Sequence, residues 1–255
     1  MNLNSITLTA LPNMPLVQPG DDLAGLIFGA SQSAGLTLAD TDIVVVAQKI
    51  VSKAEGRFVH QAEVTPSARA LELAEITGYS PAYIEVILWD TAAIIRAKKG
   101  LLIVEHRLGF ISANAGVDQS NVGTEPDMLL RLPQDPDASA RTLRHRLAEL
   151  AGVSPPLLII DSHGRPWRWG TVGVTIGLSG LAPVQDCRGI PDLFDRPLQR
   201  TDVGLADQIA AAASLLMGQA AEGCPVVIVR GLSFTVDETA RAADVLRPKE
   251  LDVFR

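Results

Sequence analysis

Strand-sized apolar runs, separated by stretches of helical spacing from one end to the other, constrain this sequence more than any other feature. Ile43 to Ala47 and Pro225 to Val229 typify the runs. None approaches the roughly 20 apolar residues that cross a bilayer, so no membrane span is expected. Strands alternating with helices, without an internal repeat, imply an α/β or α+β fold. With 47% hydrophobic and 20% charged residues over 255 positions, the chain can bury a core without disulfides, and its composition excludes disorder as the main state.

Local chemistry places the elements. Ser5 to Leu11 reads as a strand. Asp21-Asp22 opens a helix carrying Leu23, Ala24, Leu26 and Ile27. After Ile43 to Ala47 the chain turns polar and basic through Gly56, where a strand end can present side chains to a ligand. Thr65-Pro66 reads as an N-cap followed by proline at the first helical position. Leu101 to Val104 and Phe110 to Ser112 read as a hairpin leading into a Gly-containing loop that ends at Asp118. Asp137 to Leu150 is the clearest surface helix, with Arg141, Arg144, His145 and Arg146 on its solvated face. Leu157 to Ile160 is a strand ending at Asp161, Val172 to Ile176 alternates as another, and Asp202 starts a helix reaching Met217.

Charge and cysteine usage narrow the function. A net charge of -7 provides no general attraction to nucleic acid, although a local basic cleft can take phosphates. Cys187 and Cys224 lack metal-ligand spacing and read as packing residues. Met1, Asn2, Leu3 and Asn4 lack the basic region of a secretory leader, so a cytoplasmic protein is expected.

Three stretches can carry chemistry. Asp118 and Asp161 each follow an apolar segment, where a carboxylate either ligates a hard divalent cation or caps a turn. Ser52 to Arg57 supplies a cation, a carboxylate and a glycine without forming a Walker A motif, and reads either as a phosphate contact or as a solvated turn. Arg165-Pro166-Trp167-Arg168-Trp169-Gly170 offers guanidinium groups to phosphate and an indole for stacking, or else two packing tryptophans. Arg230 poses the same question. The four histidines lack ligand spacing, and His163 draws interest only through its neighbours.

In order along the chain, Ile50-Val51-Ser52-Lys53-Ala54-Glu55-Gly56-Arg57, the stretch Ala113 to Val122, and Asp161-Ser162-His163-Gly164-Arg165-Pro166-Trp167-Arg168 resemble the coenzyme F-420 gamma-glutamyl ligase family. The resemblance continues through Ile176 to Gly180, Ala206 to Gly218 and Val229 to Leu232. It implies a two-domain α+β fold, with residues 1–85 plus 180–255 forming a nucleotide-binding main domain and 86–179 a second domain that contributes metal ligands. An intertwined homodimer with nucleotide at its interface is also implied. The implied activity is GTP-dependent: a carboxylate of the coenzyme F-420 precursor becomes an acyl phosphate, which the amine of L-glutamate attacks.

Carried over by motif, Asp118, Asp161 and Ser162 are implied ligands for Mg2+ or Mn2+, with K+ a further candidate ion. Lys53, Arg165 and Arg168 are the implied catalytic cations. Implied nucleotide contacts are Met14, Pro15, Leu16, Val17, Gln48, Lys49, Lys53 and Asn121, together with Gly218, Gln219, Ala220, Ala221, Glu222, Gly223, Cys224 and Pro225. Ser162 stands where threonine is common, Gln208 where glutamate is common, and the 218–225 stretch is poor in glycine. Those departures keep two alternatives open: a ligase acting on another carboxylate, and a non-catalytic nucleotide or deazaflavin binder.

Overall fold

A computed structural model describes residues 5–253; Met1 to Asn4, on which the reading against a leader rests, lie outside them. The chain opens with β1 (Thr7–Ala10), α1 (Leu23–Ser33), β2 (Ile43–Ala47), α2 (Gln48–Ala54) and β3 (Phe58–His60). Next come α3 (Ala68–Thr77), α4 (Pro81–Leu88), β4 (Thr91–Lys98), β5 (Leu101–His106), β6 (Ile111–Ala113) and β7 (Met128–Leu130). The remainder is α5 (Pro136–Ala151), β8 (Leu157–Arg165), β9 (Arg168–Ser179), β10 (Gln185–Asp186), β11 (Asp202–Val203), α6 (Leu205–Met217) and β12 (Val226–Arg230).

A five-stranded sheet in the order β1-β12-β2-β8-β9 forms the centre, with β2 and β8 parallel and the other pairs antiparallel. Strands β12 and β2 and the first half of β8 read as continuous apolar runs because both faces are covered. On β2, Val44 and Val46 enter the core beneath α1 and α5, while Ile43 and Val45 enter the core beneath α6. The same two-residue alternation divides Val226 and Ile228 from Val227 and Val229 on β12, and Leu157 and Ile159 from Leu158 and Ile160 on β8. Helix α5 lies so close to the sheet that a Cβ on Gly177 would stand 2.5 Å from the Pro136 carbonyl carbon.

A third core gathers residues of α3, α4 and β5 with Ala115, Val117 and Leu129. This grouping spans residues 70–129, whereas β8 and β9, placed by the resemblance with 86–179, hydrogen-bond into the central sheet beside β2. The fold is thus mixed α+β, with several separate sheets.

Several local expectations change. The polar run after Ala47 is helix α2, whose buried residues include Gln48, Ile50, Val51 and Ser52; a turn at Gly56 (φ 66°) follows it. The cap of α3 is Ser67, whose Oγ accepts from the Ala70 N–H, and not Thr65. Strand β8 does not stop at Asp161 but runs to Arg165, because β9 continues to pair with it. Asp202 lies in β11, and α6 begins at Leu205. Arg144 is not simply solvated, since it pairs with Glu238 and donates to the Ser154 carbonyl. Arg230 forms a bidentate pair with the buried Asp42, at 2.6 and 2.7 Å, which is a structural role.

His106 is fully buried: its Nδ1 accepts from the Leu108 N–H at 3.0 Å, its ring stacks on Phe110, and Nε2 has no hydrogen-bond partner. Burial pushes its pKa down to about 4. Between that value and the ordinary 6.5, the unfolded chain binds a proton that the folded chain refuses. This group's contribution to stability is therefore complete above pH 6.5 and falls by about 3 kcal/mol as the pH drops towards 4. His106→Asn keeps an acceptor near Nδ1, so it should flatten the stability-pH curve by that amount in urea titrations. A variant curve parallel to wild type would refute the assignment.

Candidate active site

The parallel pairing of β2 with β8 ends, at Ala47 and Ile160, on one cavity of about 1020 Å³, lined by Ala47 and Gln48 on one side and Ile160, Asp161 and Ser162 on the other. Carboxyl ends of parallel strands are where open sheets place ligands. The loops 14–19, 121–125 and 217–225 complete its walls.

Helix α2 delivers the cations. Lys49 and Lys53 are one turn apart, so they share a face, and both line the cavity. Lys49 Nζ donates to the Ser120 carbonyl at 2.8 Å and stands 3.4 Å from an Asp118 oxygen. Burial, reinforced by Lys49, lowers the Lys53 pKa. Such a group gains from an incoming anion more than a freely solvated lysine does.

The carboxylates come from two directions. Asp118 is pinned by reciprocal backbone bonds with Leu130, at 2.8 and 3.0 Å, and accepts at 2.7 Å from the Nε2 of Gln48, a residue only 3% exposed. Ser52 Oγ donates to the Gln48 oxygen at 2.9 Å, fixing which end of that amide faces Asp118. Burial pushes the Asp118 pKa up to about 6; Asp161 adds to the rise and Lys49 opposes it. Asp161, at the end of the buried part of β8, accepts from His163 Nε2 at 3.0 Å. Across the cavity mouth, Asn121 (φ 55°) donates to the Ala220 carbonyl at 2.8 Å, joining two of the wall loops.

The residues named from sequence divide clearly. Asp118, Asp161 and Ser162 all line the cavity, as do Met14, Pro15, Leu16, Val17, Gln48, Lys49, Lys53, Asn121 and the whole of Gly218 to Pro225. Arg165 and Arg168 do not: they flank the turn at the far end of the β8-β9 hairpin. Trp167 and Trp169 at that turn are 86% and 103% exposed, so they are not core packing residues. Cys224 lines the cavity rather than the core, and Cys187 is half-buried on the β10-β11 excursion. Phe58 and Met128 add an apolar wall that no motif signalled. Gln208 is not among the lining residues.

The donors suit a hard cation. Two carboxylates close enough to influence each other, beside a serine hydroxyl, are oxygen ligands of the kind Mg2+ and Mn2+ take. Among the described residues, no group of three or more His, Cys, Asp or Glu could hold a metal ion. Asp118, Asp161 and Ser162 offer three oxygen donors, so an ion held there would need phosphate oxygens or water to complete its shell.

Facing ammonium and carboxylate groups in one strand-end cleft define an enzyme that handles charged small molecules. The family model described as "F420-0:Gamma-glutamyl ligase" matches residues 12–231. A protein of Methanothermobacter thermautotrophicus named Coenzyme F420:L-glutamate ligase is 46% identical over 251 residues, covering 98% of this chain and 99% of the relative. Proteins of the same name from Methanopyrus kandleri and Methanocaldococcus jannaschii are 43% and 41% identical, covering 99% and 86% of both chains. The chain belongs to the F420-0:gamma-glutamyl ligase family.

Proposed function

We propose that this enzyme joins L-glutamate to the coenzyme F-420 precursor by a gamma-linked amide bond, at the expense of GTP. The observation that supports it most is the convergence of Asp118, Asp161, Lys49 and Lys53 on one cavity with every residue of the implied nucleotide set. A carboxylate oxygen of the precursor attacks the γ-phosphorus, the bond to the β-phosphate oxygen breaks, and GDP leaves. The amine nitrogen of glutamate then attacks the acyl carbon, expels phosphate and loses its proton. Phosphorylation is needed because a free carboxylate is a poor electrophile at neutral pH.

Lys49 and Lys53 would offset phosphate charge as it shifts towards the leaving group. Leu130 fixes the Asp118 backbone and Gln48 one carboxylate oxygen, which would limit the reorganisation that accompanies the reaction. Mg2+ or Mn2+, when bound by Asp118, Asp161 and Ser162, would neutralise phosphoryl oxygens. The apolar lining at Phe58 and Met128 would suit a flat aromatic ring system. Homodimerisation belongs to the same reading, supported by the exposed tryptophans of the β8-β9 turn, and sedimentation would test it. Among the described residues no helix is long and apolar enough to cross a membrane.

The test is product mass. Protein incubated with GTP, Mg2+ or Mn2+, L-glutamate and the unglutamylated coenzyme should yield the glutamylated form, and omission of GTP or metal should abolish it. Tight substrate binding without product would overturn the ligase reading.

A further inference from the structure

We propose that His163 is a positioning residue that holds Asp161 in its metal-binding orientation, an inference that rests on the metal reading above. On β8, residues two apart point to the same face, which brings His163 beside Asp161. The imidazole Nε2–H donates to Asp161 Oδ2 at 3.0 Å. His163 is 8% exposed and is not among the residues lining the cavity, so it touches the site only through Asp161.

The ring is braced from behind. Phe110 lies 5.1 Å from it at a 46° tilt, and Phe110 in turn stacks on His106 at 4.7 Å with their planes 9° apart. An aromatic row therefore fixes the imidazole, the imidazole fixes one carboxylate oxygen, and the carboxylate keeps its remaining lone pairs for a cation. Asp118 receives the equivalent support from Gln48. Each carboxylate thus has one buried donor that does not depend on ligand.

Mn2+ binding followed by electron paramagnetic resonance, with and without GDP, tests the idea independently of turnover. His163→Phe keeps a ring against Phe110 but removes the donor. It should raise the Mn2+ dissociation constant by roughly 10–100-fold, the usual effect of losing such a partner. The metal KM should rise in step while kcat at saturating metal changes little. His163→Gln, whose amide places an N–H near the imidazole Nε2, should restore most of the affinity. His163→Met serves the same purpose as the phenylalanine variant should that one fail to fold.

Asp161→Ala separates the two inferences. If it abolishes Mn2+ binding while His163→Phe and His163→Met bind as wild type does, the metal reading stands and the role of His163 is overturned. If wild-type protein binds no Mn2+, both are overturned.

Discussion

Asp118→Asn is expected to lower turnover by on the order of 10³-fold and to leave the protein at least as stable as wild type. The two halves of that expectation have one cause. Burial and the neighbouring Asp161 both disfavour the Asp118 charge, so that charge works against folding. Asparagine keeps an oxygen for the Gln48 amide and removes the repulsion, and Lys49 retains the Ser120 carbonyl. What disappears is the negative donor that a divalent cation requires. A functional site that costs stability behaves in this way. The checks are initial rates of glutamylated product and a thermal melt on the same preparation. Turnover within tenfold of wild type would remove Asp118 from the mechanism, and a large fall in melting temperature would make its role structural.

Asp90→Ala should show the opposite profile, costing about 3–5 kcal/mol of stability, because it leaves charges without their partner. Asp90 is 2% exposed and accepts from Arg107 Nε at 2.8 Å and from Arg131 Nε and Nη2 at 2.9 Å. Burial alone would raise its pKa, but the hydrogen bonds from Arg131 and Arg107 bring it below the ordinary value. Arg57 stands close enough for Arg131 and Arg107 to lower its own pKa, after burial. Without Asp90, three guanidinium groups would face one another. The same arginines reach the Leu132 and Gln134 carbonyls, so the cluster fastens the third core to the irregular segment leading into α5. Urea denaturation would measure the loss. A change below about 1 kcal/mol, the range of an exposed ion pair, would refute the buried-hub reading.

The central strands were legible because a short, continuous apolar run is a local property. Ile43 to Ala47 declared a buried strand and Asp21-Asp22 a helix start; both hold, with Asp22 as the cap. Partner choice is non-local, and nothing near Val44 announces that it pairs in parallel with residue 157. Helix α2 was missed because its buried face includes the polar Gln48 and Ser52, which satisfy each other and so mimic a solvated turn in composition. At the site, the motifs marked the segments that converge, since the cavity contains every implied nucleotide contact. They did not reveal side-chain direction. Arg165 and Arg168 share a string with Asp161, yet the extended hairpin carries them away from the cavity. The donors to Asp118 and Asp161 from Gln48 and His163 appear only when strand faces and helix turns are laid out in space.

The sheet order has a consequence for synthesis on the ribosome. Strand β12 lies between β1 and β2, so residues 226–230 separate two strands that are made about 216 and about 179 residues earlier. Until that segment emerges, the nascent chain holds a sheet with a missing slat, and β2 presents an unpaired edge that can recruit other chains. The wall at 218–225 immediately precedes the same strand. Completion of the barrier against aggregation and completion of the cavity wall are thus one late event in the life of each molecule.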